Sequence, residues 1–153
     1  MAFPKAAKGL WSLARARILL VEDEPLIREL LSETLLEADF EVMEAGTGRE
    51  AVETLERCGG FDLLLTDVHM PGRLNGVDVA RHARARQPDL PVVFATGRPE
   101  SLESFGKPGP RDICLAKPFS PSEALRTVEL LLQVGAGPDC LKVTAASPGG
   151  SAG

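Results

Sequence analysis

The chain has 153 residues, of which 44% are hydrophobic, and it carries 17 basic and 22 acidic residues for a net charge of −5. This length predicts a single domain that buries its own core, and the acidic balance offers no overall electrostatic footprint for nucleic acid. The three scattered cysteines, Cys58, Cys114 and Cys140, fit neither a disulfide framework nor a zinc-ligand spacing, so they favour a reducing cytoplasm.

Both ends of the chain differ in composition from the middle. Residues 1–16 are basic, contain no acid and lack the continuous apolar stretch of a signal peptide, so they predict a basic, flexible N-terminal extension. In an alternative interpretation, Trp11 and the neighbouring leucines dock on a partner or an acidic membrane surface. Residues 135–153 are rich in Gly, Ala, Ser and Pro and predict a disordered C-terminal tail. The folded domain is expected to span residues 17–134, with no further domain after it.

Short apolar runs alternate with helical patterns from residue 17 onward. Residues 18–21 form an apolar strand that stops at three acids, and Pro25 fits the first turn of a helix. The apolar and small residues of this helix recur at three- and four-residue spacing and predict its inner face: Ile27, Leu30, Leu31, Thr34, Leu35 and Ala38. Four charged residues are expected on its outside: Arg28, Glu29, Glu33 and Glu37.

The next strand and helix have equally clear signals. Residues 40–44 alternate apolar and acidic, as an edge strand does. Thr47 and Glu50 have the spacing of a capping box, and they predict the start of a second helix that ends near Gly59. Residues 63–67 then predict a buried third strand that ends in Asp67.

The chain continues with a third helix and a fourth strand. Residues 77–86 combine small inner residues with a basic outer face that is expected to be solvated, and residues 91–97 predict strand four. The segment 98–112 holds three prolines and two glycines. At most about two helical turns fit there, near residues 100–105, which predicts a reduced or mobile fourth helix.

The last two elements complete the alternation. Residues 113–116 predict strand five, and Ser120, Pro121 and Glu123 have the cap, first-turn and capping-box positions of a last helix. Strands that alternate with helices predict an α/β fold with a doubly wound, five-stranded parallel sheet, because right-handed crossovers place helices on both faces.

Polar side chains follow four of the five predicted strands at the point where each strand ends. They are Glu22, Asp23, Glu24, Asp67, Thr96 and Lys117. The carboxyl ends of parallel strands share one edge of the sheet, where ligands of open α/β sheets bind. Taken alone, an Asp after a strand is more often a cap or turn residue.

The chemistry of this set points to a metal and a phosphoryl group. Carboxylates that lie close together raise one another's pKa unless a cation is bound between them. Asp67, Asp23 and Glu22 together therefore favour a bound Mg²⁺, because this ion prefers hard oxygen ligands, including phosphate oxygens. Phosphoryl transfer needs mainly positioning and charge neutralisation, which Lys117 and Thr96 supply. Asp67 is then the candidate nucleophile.

Residues 21–25, 66–72, 94–97 and 116–119 resemble the motifs of two-component response-regulator receiver domains, and the resemblance covers residues 17–134. It implies a flavodoxin-like, CheY-like (βα)5 fold with strand order 2-1-3-4-5. It also implies a signalling phosphoacceptor rather than an enzyme, which assists its own phosphorylation and dephosphorylation. The phosphoryl donor would be a histidine kinase or phosphotransfer protein.

The resemblance assigns a role to each site residue. The phosphoryl group goes to Asp67, forming a 4-aspartylphosphate whose hydrolysis resets the switch. The Mg²⁺ is held by Asp23, Asp67, the backbone carbonyl of His69 and, through a water, Glu22. Thr96 and Lys117 contact the phosphoryl oxygens.

The sequence departs from the commonest receiver pattern in three ways. Cys114 stands at the position of the aromatic switch residue, and the chain contains no tyrosine, so a swinging ring cannot carry the output. Glu22 stands where Asp is frequent. Residues 94–97, Phe-Ala-Thr-Gly, followed by a Pro- and Gly-rich segment, resemble a receiver subclass with a reduced fourth helix that often acts as a stand-alone partner of an atypical class of histidine kinase.

Two other functions compete with this hypothesis. One is a pseudo-receiver or adaptor that binds partners without phosphorylation; the other is a metal-dependent α/β phosphohydrolase. A haloacid-dehalogenase-like phosphatase needs a second Asp two residues after its nucleophile, and His69 is there instead. Output is expected in the cytoplasm through a protein target that contacts strand four, strand five and the last helix, with no nucleic acid and no membrane insertion.

Overall fold

The structure is a computed structural model that describes residues 15–106 and 108–134. Nearly all of the predicted basic extension and the whole predicted C-terminal tail, residues 135–153, lie outside the described residues. Among the described residues, no helix is both long and apolar enough to cross a membrane.

Five parallel strands form one sheet in the order β2-β1-β3-β4-β5, which confirms the predicted fold class and the edge position of the second strand. The strands are β1 (Arg17–Val21), β2 (Glu41–Ala45), β3 (Leu63–Asp67), β4 (Val92–Thr96) and β5 (Asp112–Ala116). The register pairs Val21 with Thr66, Asp67 with Ala95 and Thr96 with Ala116. The residues that follow the strands therefore meet at one edge of the sheet.

Within the described residues, three α-helices and one 3-10 helix connect the strands, and a fourth α-helix follows β5. They are α1 (Pro25–Glu37), α2 (Gly48–Cys58), α3 (Gly76–Arg86), the 3-10 segment (Pro99–Phe105) and α4 (Pro121–Val134). A core cluster on one side of the sheet contains residues of α2 and α3, and a second cluster on the other side contains residues of α1 and α4. The sheet is thus covered on both faces, as doubly wound folds require.

The helix starts match the capping signals with one difference. At α4, Ser120 Oγ accepts from Glu123 N at 3.1 Å and Glu123 Oε1 accepts from Ser120 N at 2.9 Å, a complete capping box. At α2, Thr47 Oγ1 accepts from Glu50 N at 3.0 Å, but the Glu50 carboxylate accepts from Gly46 N rather than from Thr47 N. The predicted second half of the α2 box is therefore made one residue earlier in the chain.

The inner face of α1 is rotated from the predicted one. Leu31, Ser32 and Leu35 are buried, whereas Leu30 is 53% exposed and Ile27 is 36% exposed. The reason is that α1 packs on α4 as well as on the sheet, so two neighbours, and not apolar periodicity alone, decide which residues it buries. The exposed apolar residues leave an acidic and apolar outer surface on this helix.

The connection from β4 to β5 contains no α-helix. The connection contains instead a seven-residue 3-10 helix, Pro99–Phe105. None of the residues of this helix is buried, and the helix ends at Gly106, which has a φ of 115°. The location and length of this segment agree with the two turns predicted near residues 100–105. Its mobility stays a prediction.

Candidate functional site

The carboxyl edge of the sheet brings Glu22, Asp23, Asp67 and Lys117 together. One carboxylate oxygen from each acid lies within 4.8 Å of the others. Lys117 Nζ lies 2.6 Å from Asp67 Oδ1 and 3.8 Å from Glu22 Oε1. The residues that the sequence places at successive strand ends therefore form one cluster in space.

Backbone contacts hold the acids of this cluster in position. Glu22 is buried, and its Oε2 accepts a hydrogen bond from Glu24 N at 3.1 Å. The Glu22 carbonyl accepts from the Arg28 guanidinium at 2.8 Å, and Arg28 also pairs with Glu44 at 3.3 Å. The sequence placed Arg28 on the outside of its helix; the structure shows that it reaches back to the loop after β1 and ties that loop to β2.

Asp67 is 2% exposed, and its Oδ2 has no hydrogen-bond partner among the described residues, while its Oδ1 contacts the Lys117 ammonium. A buried polar atom without a partner is costly and is rare in folded proteins. The position of this oxygen, beside two further carboxylates, fits a site for a hard cation and phosphate oxygens.

The electrostatics of the cluster favour added positive charge. Burial raises the pKa of Asp67 to about 8; the Lys117 ammonium lowers it without offsetting burial, and Glu22 and Asp23 raise it further. Burial lowers the pKa of Lys117, but Asp67 and the other two acids outweigh it and raise the pKa overall. One ammonium beside three carboxyl groups leaves room for a divalent cation, which would stabilise the charged form of Asp67.

Thr96 is buried at the end of β4, next to the cluster but turned toward the following loop. Its Oγ1 accepts from Arg98 N at 2.9 Å, and its carbonyl accepts from Lys117 N at 2.9 Å, which ties the ends of β4 and β5 together. The predicted contact of the Thr96 hydroxyl with a phosphoryl oxygen stays a prediction.

The His69 ring is exposed and contacts the 3-10 segment. Its Nε2 lies 3.0 Å from Ser101 Oγ, and that hydroxyl donates to the Arg98 carbonyl at 2.7 Å. The loop after β3 is thereby connected to the segment after β4. A metal-binding role of the His69 carbonyl stays a prediction.

Cys114 is half-buried in β5, beside Phe94 of β4. Burial raises the pKa of the Cys114 thiol, so the thiol is a poor nucleophile at neutral pH.

Gly76 is a residue whose importance the sequence did not reveal. It begins α3, its N–H donates to the Val68 carbonyl at 2.9 Å, and a Cβ atom there would lie 2.8 Å from the carbonyl carbon of Asp67. The start of α3 can approach the backbone of Asp67 only because residue 76 has no side chain. The sequence predicted a helix over residues 77–86, beside Gly76, but not this contact.

Comparison with known proteins decides the family. The sequence profile of the response regulator receiver domain matches residues 18–129 of the chain. The chain belongs to the response regulator receiver family. The response regulator receiver protein CpdR of Brucella abortus is 36% identical to it over 117 residues, which are 76% of this chain and 96% of that protein.

Other relatives place the receiver domain in longer proteins. The uncharacterized transcriptional regulatory protein YrkP of Bacillus subtilis is 35% identical to this chain over 108 residues. The alignment covers 70% of this chain and 45% of YrkP, so the chain spans about half the length of such relatives. Among solved structures, a response regulator receiver protein from Sinorhizobium medicae matches with a TM-score of 0.71 and 32% identity, covering 79% of this chain and 97% of that one.

A further solved structure bears on the acidic cluster. The receiver domain of the sensor histidine kinase PA1611 from Pseudomonas aeruginosa has a magnesium ion coordinated in its active-site cleft. It matches this receiver with a TM-score of 0.65 and 28% identity, covering 78% of this chain and 98% of that one. In this receiver, the candidate site contains the acidic cluster of Glu22, Asp23 and Asp67.

The raised pKa of Asp67 predicts that Asp67→Asn stabilises this receiver in metal-free buffer. The unfolded carboxyl ionises near its ordinary pKa of about 3.9, whereas the folded one keeps its proton up to about 8. Stability is therefore lost as the pH rises from about 4 to about 8, and Asn avoids this loss. A gain of about 1 kcal/mol would raise Tm by roughly 2–8 °C.

Thermal unfolding with a chelator at several pH values tests this expectation. The Tm of Asp67→Asn relative to the parent should increase from pH 5 to about pH 8. Asp89→Asn is the control, because Asp89 is exposed. A Tm difference that shrinks over this range would contradict the account.

Proposed function

We propose that this receiver is a single-domain response regulator of a two-component phosphorelay. Asp67 accepts a phosphoryl group from a histidine kinase or phosphotransfer protein in an Mg²⁺-dependent reaction, and the signal passes on through protein contacts. The observation that carries the proposal is the buried Asp67 carboxylate, whose Oδ2 has no partner among the described residues and whose Oδ1 contacts Lys117. The likeness to CpdR over 96% of its length supports a function without a second domain.

The residues at the site fit a magnesium ion. Asp23 and Asp67 would hold it directly, the His69 carbonyl would be a further ligand, and Glu22 would act through a water, since the carboxylates cluster within 4.8 Å. When bound, Mg²⁺ supplies charge neutralisation for the acids and for the phosphoryl oxygens. This assignment also accounts for the accumulation of three acids beside a single ammonium group.

Asp67, Lys117 and Thr96 have different roles in the phosphorylation reaction. An Asp67 oxygen attacks phosphorus, an O–P bond forms, the N–P bond of the donor phosphohistidine breaks and the imidazole keeps the electron pair. Lys117 stays protonated and its ammonium pairs with a phosphoryl oxygen, while the Thr96 hydroxyl donates to another. In a separate hydrolysis step that resets the switch, water attacks phosphorus, the O–P bond to Asp67 breaks, inorganic phosphate leaves and the carboxylate is restored. The chain is thus a phosphoacceptor that assists its own reactions rather than an enzyme.

Intact-mass measurement after incubation with acetyl phosphate tests this proposal. We expect the protein to gain the mass of one phosphoryl group in Mg²⁺ and to gain none when Mg²⁺ is chelated. No gain in saturating Mg²⁺, with the fold verified by circular dichroism, would favour the pseudo-receiver. Steady release of inorganic phosphate from simple phosphomonoesters would favour the phosphohydrolase.

The segment after β4 is expected to respond to phosphorylation, because a solvent-exposed contact of Ser101 with His69 links it to the loop of Asp67. None of the residues Pro99–Phe105 is buried, so their hydrogen bonds are open to solvent and local opening should be frequent. Movement of Thr96 toward a phosphoryl oxygen would release Arg98 N and reorder this segment. We propose a reduced, mobile fourth helical segment, as in the Phe-Ala-Thr-Gly subclass.

Hydrogen exchange with and without beryllofluoride, a phosphoryl mimic, measures this response. We expect slower exchange in residues 99–105 when Mg²⁺ and beryllofluoride are present. The amides of α2 serve as the internal reference, since that helix packs mainly on β1, β2 and α3 and should not change. Equal exchange in both states would show that the segment does not take part in the switch.

Output in this proposal passes through the surface of β4, β5 and α4 to a protein target in the cytoplasm. Cys114 lies in β5 at the position where the family commonly has an aromatic switch residue, and it has no ring to swing. The 3-10 segment, which contacts β5, is the element through which Thr96 would act on this surface.

A further inference from the structure

A groove of about 440 Å³ lies between α3 and the 3-10 segment, on the face of the sheet opposite α4. Phe94 of β4 forms its floor, Val77 and Ala80 of α3 form one wall, and Leu102 and Phe105 form the other. These five side chains form the apolar part of the lining; Val77, Ala80 and Phe94 are buried, and Leu102 and Phe105 are more exposed. A groove of this kind is a candidate docking surface for an apolar side of another protein.

The groove exists because the helical layer on this face of the sheet is incomplete beside β5. The opposite face is covered along its length by α1 and α4, whereas on this face the 3-10 segment is the described element that lies beside β5. That segment buries none of its own residues, and Phe105 remains 37% exposed. An additional helix placed in the groove would complete the layer that α2 and α3 begin.

The charged residues that line the groove are Arg81, Arg84 and Asp112. Arg84 is committed to the fold, since it donates to the Leu90 carbonyl at 2.7 Å and pairs with Asp112 at 2.6 Å. Arg81 has a side chain that is 64% exposed, and its pairing with Asp78 at 3.4 Å is of the weak, solvent-exposed kind. The exposed Arg81 therefore favours an acidic group on a ligand that lies over the α3 side of the groove.

We propose that the groove binds an amphipathic helix of a partner protein, with apolar side chains against Phe94 and acidic side chains against Arg81. An apolar groove with a charged rim is the usual receptor for such a helix. The 11 residues of α3 span about 16 Å, which matches two to three turns of a partner helix. The inference goes beyond the proposed function, because none of these groove residues belongs to the Asp67 cluster.

Two 15-residue model peptides test the proposal on the full-length, unphosphorylated chain. Both carry leucine at helical i, i+3, i+4 and i+7 spacing, and the remaining positions are mostly Glu in one peptide and mostly Lys in the other. Binding is measured by fluorescence anisotropy against the parent chain, Arg81→Glu and Phe105→Ala. Arg86→Glu is the matched control, because Arg86 is an exposed arginine of the same helix that does not line the groove.

The Leu/Glu peptide should bind the parent chain and the Leu/Lys peptide should not. Arg81→Glu should weaken binding roughly tenfold, because it places like charges together, and Phe105→Ala should weaken it by removing one wall. Arg86→Glu should leave it within about twofold. Equal binding of both peptides, equal effects of Arg81→Glu and Arg86→Glu, or no binding at about 1 mM would overturn the proposal.

Sedimentation velocity tests whether a second copy of the chain, and not a partner helix, occupies the groove. The outer surface of α1 is itself acidic and apolar, with Leu26 72% exposed and Leu30 53% exposed, so a second copy of the chain is the alternative. Self-association of the parent chain that Arg81→Glu abolishes would overturn the assignment to a partner helix. A monomer that binds the Leu/Glu peptide supports it.

Discussion

Replacing Asp67 with Asn should abolish phosphoryl incorporation from acetyl phosphate. Asn keeps the shape of the side chain, but its amide is not a nucleophile toward phosphorus, and no other carboxylate of the cluster contacts Lys117 as closely: Asp67 lies 2.6 Å from Nζ and Glu22 lies 3.8 Å from it. The loss should be complete rather than partial. Intact-mass measurement at saturating Mg²⁺ gives the labelled fraction directly.

The matched control for this experiment is Asp89→Asn, which removes an exposed carboxylate outside the described acidic cluster and should label like the parent. Asp23→Asn separates the two roles of the acids, because it should keep the acceptor while raising the Mg²⁺ concentration needed for labelling. Unchanged labelling of Asp67→Asn would remove Asp67 from the mechanism, whatever the other variants show.

Gly76→Ala should have the largest effect on stability. The added Cβ would lie 2.8 Å from the carbonyl carbon of Asp67 and closer still to its oxygen, and both atoms are backbone, so α3 must shift away from β3. A forced displacement of this kind costs about 3 kcal/mol, although Ala favours a helix by roughly 1 kcal/mol over Gly. The net loss should appear as a lower midpoint in urea unfolding.

Gly97→Ala is the control for Gly76→Ala. A Cβ at Gly97 meets nothing within 4 Å, so its free energy of unfolding should change by no more than about 0.5 kcal/mol. Because the shift in Gly76→Ala moves the backbone of Asp67, phosphoryl incorporation should fall together with stability. Equal midpoints for the two variants would show that α3 accommodates the methyl group without moving.

The site could be predicted largely from the sequence because its residues follow the strands directly. In a parallel sheet the carboxyl ends meet at one edge, so the strand pattern places Glu22, Asp67, Thr96 and Lys117 at the same edge. The order of the strands came from the resemblance of the motifs to receiver domains. Alternation of strands and helices does not by itself fix which strands are neighbours.

The remaining features depend on contacts between segments that are distant in the sequence. Arg28 and Arg84 were both placed on outer helix faces, yet one holds the Glu22 carbonyl and the other joins α3 to β5. A long cationic side chain can reach a carbonyl or carboxylate beyond its own helix, and periodicity does not show this. The exposure of Leu30 likewise depends on the packing of α1 against α4.

Peptide mapping of the phosphorylated protein tests the central claim most directly. The parent chain is labelled with acetyl phosphate in Mg²⁺, the acylphosphate is trapped by reduction with borohydride, and the digested protein is sequenced by mass spectrometry. The account predicts a single modified residue, Asp67, and no modification when Mg²⁺ is chelated. Modification of another residue, or none in saturating Mg²⁺, would contradict it.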